Sequence, residues 1–225
     1  MTSRRGYSLS MRHPIRFFVA GVAFVATVQA HALAHFTLLE PASWLVENKL
    51  GDPQKMAPCG GTSADAGKPS EVVGKAIGGQ KLKVKVLETV YHPGHYRIAL
   101  AVNSRSELPS DPDVVTKDSE RGPRSVSAAI QNPVKPPVLV DGLWAHTARM
   151  TDPFETEIEL PNINCKKCTL QIIQFMAEHG RNGDGDFSYH HCADLQITAD
   201  PAKPVDRAWL TRVGAPVQVP AKVVK

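Results

Sequence analysis

The segment Lys81-Leu82-Lys83-Val84-Lys85-Val86-Leu87 alternates strictly between lysine and aliphatic residues. Successive side chains of a β-strand point to opposite faces, so this period of two predicts a strand with one solvated face and one buried face. Further β-rich runs bounded by turn residues predict strands at residues 35–39, 96–102, 137–143, 154–160, 169–177 and 189–198.

The segments between these strands are irregular. Residues 44–79 and 103–137 are expected to be mainly loop, and the Gly, Asn and Asp residues of 181–186 predict a turn. No segment has the periodicity of a long amphipathic helix. Short strands separated by turn signals predict an all-β fold, an antiparallel β-sandwich of immunoglobulin or fibronectin-III type with long loops.

The first 34 residues have the composition of a secretory signal peptide. Four arginines precede an apolar run from Phe17 to Val28, and Ala32-Leu33-Ala34 fits a small-residue cleavage site. The apolar run is too short for a comfortable membrane span. Cleavage after Ala30 is the alternative and would expose His31, but the later site leads directly into strand-like sequence. We therefore expect a secreted or periplasmic protein without a membrane partner once the leader is removed.

Cleavage after residue 34 would leave 191 of the 225 residues. This length favours one domain, a β-sandwich over 35–200 followed by a proline-rich tail over 201–225. The leader holds four of the 26 basic residues and none of the 22 acidic ones, so the remainder has 22 of each and no formal net charge. A neutral chain gives no support to a nucleic-acid partner, and we expect a monomer.

Four cysteines follow the leader: Cys59, Cys165, Cys168 and Cys192. An even number of cysteines in an exported chain predicts disulfides, with three possible connectivities. The alternative is a zinc site that combines the CxxC pair with His190, His191 and Cys192. A faint likeness of residues 182–186 to a calcium loop is explained more simply by a hairpin turn.

Cleavage after Ala34 would make His35 the first residue of the chain. Its α-amine and its imidazole Nδ1 could then chelate one metal ion. The turn His92-Pro93-Gly94-His95 lies at a strand end and offers a further imidazole, from either histidine. Sites made only of nitrogen ligands in a tetragonal arrangement select Cu(II) over Zn(II), so the predicted cofactor is copper. Tyr189 could stand on the axis of this site.

Several segments resemble the lytic polysaccharide monooxygenases and their copper-binding relatives. They are the start His-Phe-Thr-Leu-Leu-Glu-Pro at 35–41, the segment Met56-Ala57-Pro58-Cys59-Gly60-Gly61, residues 88–95, residues 168–171, and Tyr189-His190-His191-Cys192-Ala193-Asp194-Leu195. The resemblance touches both ends and the middle of the chain after the leader, and residues 103–160 carry little of it.

The resemblance implies roles for individual residues. His35 would supply the amine and Nδ1, and His92 the second imidazole, with His95 as the close alternative. Tyr189 would be the axial residue, Asp194 would be structural, and Gln174 would orient the oxidant from beside the copper ion.

The resemblance also implies a function, oxidative attack on a chitin- or cellulose-like polysaccharide with an external electron donor. The chain departs from the family in lacking a flat set of aromatic residues, for which Trp44 and Trp144 are the only candidates. The start and the Pro-Cys-Gly-Gly segment also resemble a fungal copper-binding branch that is not thought to cleave polysaccharide. A copper-binding or copper-delivery protein is therefore one alternative, and a carbohydrate-binding β-sandwich is the other.

Overall fold

The computed structural model describes residues 35–207 and, outside this range, residues 2 and 209. Except for residue 2, the predicted leader with its cleavage site lies outside the described residues, as does most of the predicted tail. The described residues form ten strands and one short 3-10 helix (Arg105–Glu107): β1 (His35–Glu40), β2 (Val73–Gly78), β3 (Lys81–Val90), β4 (Gly94–Ala101), β5 (Val114–Lys117), β6 (Arg124–Ala128), β7 (Val138–His146), β8 (Phe154–Glu159), β9 (Cys165–Met176) and β10 (Ser188–Ala199).

The strands form a three-stranded sheet, β1-β3-β8, and a five-stranded sheet, β2-β10-β9-β4-β7, with β5 and β6 as a separate hairpin. The predicted all-β sandwich is confirmed. Every pair of neighbouring strands is antiparallel except β2 and β10, which run parallel.

The core lies between the two larger sheets and follows the alternation of the strands. Tyr96, Ile98 and Leu100 of β4 point into it from the five-stranded sheet, and Val84 and Val86 of β3 from the other. Burying an aliphatic side chain of this size contributes about 1.5–3 kcal/mol. The lysines of β3 face glutamates across β8, in register from Lys81 and Glu159 to Lys85 and Glu155, and keep that face solvated, as the alternation predicts.

The long connection between β1 and β2 is fastened to β10 by a disulfide between Cys59 and Cys192. Trp44 adds two hydrogen bonds at the same place, because its Nε1 donates to the carbonyl of Cys59 at 2.7 Å and its backbone N–H to that of Cys192 at 2.8 Å. The second disulfide joins Cys165 and Cys168. One of the three connectivities that the sequence left open is thus selected.

Two parts of the predicted loops are strands. Residues 73–78 fall within the segment 44–79 that was expected to be irregular, yet they form β2 along the edge of β10. Residues 114–117 and 124–128 form the β5–β6 hairpin inside the segment 103–137. Both parts are short and largely exposed. The inner positions of β2 are two glycines and an alanine, with Val73 and Ile77 outside, so its residue types do not show the apolar–polar alternation of a half-buried strand.

The start of the C-terminal segment packs against the sandwich. Asn162 Nδ2 donates to the carbonyls of Lys203 and Pro204, both at 3.0 Å, and the backbone N–H of Asp206 donates to the Asn162 carbonyl at 2.8 Å. Trp209 is buried in the core. Within the described part of the chain, no helix is long and apolar enough to cross a membrane.

Candidate metal centre

The pairing of β1 with β3 brings the two predicted histidine ligands to the same end of the sandwich. His35 is opposite Val90, and the chain reaches His92 two residues later. The charge of His35 is one of the causes that lower the pKa of His92, so the two imidazoles lie within electrostatic range of each other.

His35 is oriented by an aspartate from the loop after β1. Its Nε2 lies 3.2 Å from Oδ2 of Asp52, and the imidazole is almost fully buried. Donation of the Nε2 proton to this carboxylate leaves the lone pair on Nδ1. The hydrogen bond from His35 also lowers the pKa of Asp52 and keeps it ionised. The nitrogen that the predicted chelate requires is therefore the one that this contact leaves without a proton.

The loop that carries Asp52 is held closely to β1. Gln54 is fully buried, and its Oε1 accepts the backbone N–H of Phe36 at 3.1 Å. Gly51 has φ of +99°, and a Cβ at this position would lie 1.9 Å from the Phe36 carbonyl oxygen. Only glycine fits both the left-handed backbone and this close approach.

His92 is the second predicted ligand and lacks a partner on one ring nitrogen. The residue is 8% exposed, and Nδ1 is buried without a hydrogen bond. Burial, followed by the neighbouring charge of His179, lowers the pKa of His92 to about 4. The imidazole is thus neutral at pH 7, which is the form that binds metals.

His95, the alternative second ligand, lies on the face of β4 that points away from the core. Tyr96 and Gln174 point into the core with Tyr189, whereas His95 is paired with Phe175 on the outer face, at 5.2 Å between ring centroids. The structure therefore brings His92, and not His95, towards the face on which His35 lies.

Tyr189 packs directly on His35, with ring centroids 5.3 Å apart. Its hydroxyl is buried and has no hydrogen-bond partner. Burial, and to a smaller extent the charge of Asp52, raises the pKa of the phenol well above its ordinary value. Tyr189 is therefore neutral and presents an aromatic surface and an unpartnered hydroxyl beside the imidazole.

Gln174 belongs to a buried network centred on Glu88. Glu88 Oε1 accepts hydrogen bonds from Gln174 Nε2 at 2.9 Å and from the backbone N–H of His92 at 3.2 Å, and it lies 3.0 Å from His146 Nε2. The second oxygen of Glu88 and Oε1 of Gln174 are buried without partners. The network fixes the backbone of His92 and leaves two acceptors unused.

Neither His179 nor Glu88 was predicted as a site residue, although Glu88 lies in the segment 88–95 that carries part of the resemblance. The ring of His179, from the loop after β9, lies 4.8 Å from that of His92 between centroids, in a T-shaped arrangement. Glu88 on β3 and His146 on β7 meet where the two sheets pack, and Asp52 reaches His35 from the loop after β1.

His190 and His191 have structural partners. His190 Nε2 lies 2.8 Å from Oδ1 of Asp111. His191 Nε2 lies 2.9 Å from the Phe36 carbonyl oxygen, and its Nδ1 lies 3.1 Å from Glu47. All four cysteines are in disulfides. The alternative zinc site is therefore wrong, since oxidised cysteines provide no thiolate.

Residues 35–207 contain no group of three or more His, Cys, Asp or Glu side chains that could hold a metal ion. The predicted ligand set contains only two side chains, His35 and His92, because its third nitrogen is the α-amine. Two observations are consistent with this set of nitrogen ligands. The contact of His35 Nε2 with Asp52 places the lone pair of the imidazole on Nδ1, and His92 has a buried Nδ1 without a hydrogen-bond partner.

The lowered pKa of His92 leads to a stability prediction for the metal-free protein. An unfolded histidine has a pKa near 6.5, so between pH 6.5 and about 4 the unfolded chain binds the extra proton. The contribution of neutral His92 to the free energy of unfolding is complete above pH 6.5 and is lost as the pH falls towards 4. Between pH 7 and pH 5 we expect the free energy of unfolding of wild type to fall by about 2 kcal/mol more than that of His92→Asn. Urea titrations in the presence of EDTA measure this difference. Equal losses of unfolding free energy in wild type and His92→Asn would contradict the lowered pKa of His92.

Neither tryptophan named as a polysaccharide contact forms an aromatic surface. Trp44 lies beneath the guanidinium of Arg105, at 3.6 Å from the ring centroid, and the half-buried Trp144 stacks on Phe154 against the core. Among residues 35–207, every Phe, Tyr and Trp is buried or half-buried.

No model of a known protein family matches the chain, and no curated protein matches it either.

Proposed function

We propose that the protein, once cleaved before His35, is an exported copper-dependent monooxygenase-like protein that attacks glycosidic polymers oxidatively. His35 would bind copper through its α-amine and Nδ1, and His92 would bind it through its imidazole. The observation that carries this proposal is the contact between His35 Nε2 and Asp52 Oδ2 at 3.2 Å. Ligating histidines commonly donate their second N–H to a carboxylate, which fixes the tautomer and the ring orientation.

Copper in such a site supplies one-electron chemistry that activates O₂ or H₂O₂ towards a C–H bond beside the glycosidic link. The surrounding residues hold the ligands and limit access. Tyr189 covers one side of the His35 ring, and Glu88 anchors the His92 backbone through the N–H bond at 3.2 Å. Gln174, held by Glu88, offers its unpartnered Oε1 as a hydrogen-bond acceptor at the edge of the cluster.

A copper-binding or copper-delivery role with the same ligands is the second candidate. It is favoured by the surface of residues 35–207, which has no exposed aromatic side chain for stacking on a sugar ring. In this role His35 and His92 would hold copper in the periplasm or at the cell surface without oxidative turnover.

An assay for oxidised oligosaccharides separates the two candidates. The copper-loaded protein, beginning at His35, is incubated with ascorbate and chitin, cellulose or xylan, with His92→Ala as the control. We expect oxidised products from at least one polymer with wild type and none with the variant. Stoichiometric copper binding without oxidised products from any polymer would leave the delivery role, and failure to bind copper would exclude both.

A further inference from the structure

The segment that begins with β6 encloses a pocket against the outer face of the five-stranded sheet. Its start is held by Ser125, whose backbone N–H donates to the carbonyl of His179 at 2.9 Å. Its end is held by Ile130, which packs so closely on β7 that a Cβ at Gly142 would lie 3.0 Å from Ile130 Cγ2. Between these two attachments a pocket of about 370 Å³, here the hairpin pocket, is lined chiefly by Pro93, His95, Val126, Ala128, Ile130 and Phe175.

The lining of the hairpin pocket favours a small and neutral ligand. Within the part of the chain that the structure describes, no Lys, Arg, Asp or Glu lines it. His146 also lines it, but the carboxylate of Glu88, 3.0 Å from its Nε2, balances a charge on that ring. A charged ligand would therefore lose its hydration without gaining a counter-charge. The volume lies at the lower end of the roughly 300–1,000 Å³ of small-molecule sites, which excludes a long polymer chain.

The imidazole of His95 is a buried polar group on the wall of this pocket. The residue is 8% exposed, and its ring forms no hydrogen bond with any residue that the structure describes. Burial lowers the pKa of His95, while the charge of Asp141 opposes the shift and that of Arg97 adds to it. The ring is therefore neutral at pH 7 and has one N–H donor and one nitrogen lone pair without partners. Because most buried polar groups in proteins are hydrogen-bonded, this ring points to a ligand.

A phenol matches both the polar and the apolar part of the lining. Its acidic hydroxyl is a good donor to the lone pair of a neutral imidazole. Its ring can lie against Phe175, which is itself tilted by 43° to the His95 ring at 5.2 Å between centroids. Aromatic rings in offset or edge-to-face arrangements gain more than their buried area provides. Val126 and Ile130, which are 42% and 51% exposed, would lose apolar surface to water-free contact with the ligand.

We propose that the hairpin pocket binds a small neutral phenol, whose hydroxyl donates a hydrogen bond to the His95 imidazole and whose ring lies against Phe175. This inference goes beyond the proposed copper function and does not depend on it. His95 lies on the face of β4 that points away from the core, and His92 does not line the pocket. The metal-free protein should therefore bind the phenol as well as the copper-loaded protein does.

The test is isothermal titration calorimetry of the metal-free chain from His35 onward, in EDTA at neutral pH. The probes are phenol and toluene, which have nearly the same shape and differ in the hydroxyl. We expect phenol to bind at one site at millimolar concentrations or below. In His95→Phe the affinity for phenol should fall at least about fivefold relative to that for toluene, because the phenol hydroxyl is left buried without an acceptor.

A second pair of variants tests the location of the site. Ala128 lines the pocket and is half-buried, whereas Ala129 is exposed and does not line it. Ala128→Phe fills the pocket and should abolish binding of both probes, and the matched control Ala129→Phe should bind them as wild type does.

Three outcomes would overturn the proposal. They are no binding of phenol by wild type at millimolar concentrations, unchanged binding of phenol in Ala128→Phe, and an unchanged ratio of the two affinities in His95→Phe. Circular dichroism checks that each variant is folded, and His95→Leu replaces His95→Phe if the latter does not fold. Since no metal is present in these titrations, their failure leaves the proposed copper function to its own tests.

Discussion

Replacing His92 with alanine is expected to weaken Cu(II) binding at least about 100-fold, since loss of an outer partner of a metal ligand already costs 10–100-fold. In the predicted set of copper ligands, His92 is the one side chain besides His35. Its buried Nδ1 has no hydrogen-bond partner in the protein. The variant should also lose the tetragonal EPR signal that nitrogen ligands give to Cu(II). Competition titrations with glycine measure the change in affinity.

The matched control is His95→Ala, three residues along the chain. Both histidines are 8% exposed, and their substitutions remove the same number of atoms. His95 packs on Phe175 on the outer face of β4, so its loss should leave the Cu(II) affinity within about twofold of wild type while costing about 1–3 kcal/mol of stability. A loss of copper in His95→Ala with normal binding in His92→Ala would assign the second ligand to His95.

The second large effect is expected from removal of the disulfide between Cys59 and Cys192. The two residues are 133 positions apart, and closing a loop of this length in the unfolded chain corresponds to about 5 kcal/mol in the chain-entropy treatment. The double variant Cys59→Ala, Cys192→Ala should therefore lose about 4–5 kcal/mol of unfolding free energy, a large fraction of the roughly 5–15 kcal/mol by which native proteins are stable. The midpoint of urea denaturation measures this loss.

The pair Cys165 and Cys168 provides the control for the disulfide. These residues are also buried, but only three positions separate them, so the same treatment gives about 1.6 kcal/mol for their double alanine variant. Comparable destabilisation of the two double variants would show that lost packing, and not loop closure, accounts for the effect of Cys59 and Cys192.

The β-sandwich could be predicted from the sequence because several strands show clear alternation or long apolar runs. β3 has lysines on one face and aliphatic residues on the other, and β8 has glutamates alternating with Phe154, Thr156 and Ile158, so each strand is visible in its own residues. β2 is not, because Val73-Gly74-Lys75-Ala76-Ile77-Gly78 contains two glycines and exposes Val73 and Ile77. Its pairing with β10, more than 100 residues later, depends on tertiary contacts that no local pattern encodes.

The candidate site could be predicted only where a motif is local. His35 was identified from the predicted cleavage point, and His92 from its turn at a strand end. His95 lies in β4 on its outer face and His92 lies before that strand, and the sequence did not show where the strand begins. Asp52 contacts His35 from a loop, whereas Glu88 on β3 and His179 from the loop after β9 contact His92. These contacts depend on the folded chain, and no spacing in the sequence predicts them.

The central claim is that cleavage before His35 creates a copper chelate from the α-amine and Nδ1. The most direct measurement compares the Cu(II) affinity of protein that begins at His35 with that of protein carrying Gly-Ser-Gly-Ser before His35. A single added residue is avoided because its own amine would form another chelate with the His35 ring. We predict stoichiometric binding by the first protein and an affinity at least about 100-fold lower for the second. Equal affinity and identical EPR spectra for the two proteins would contradict the account.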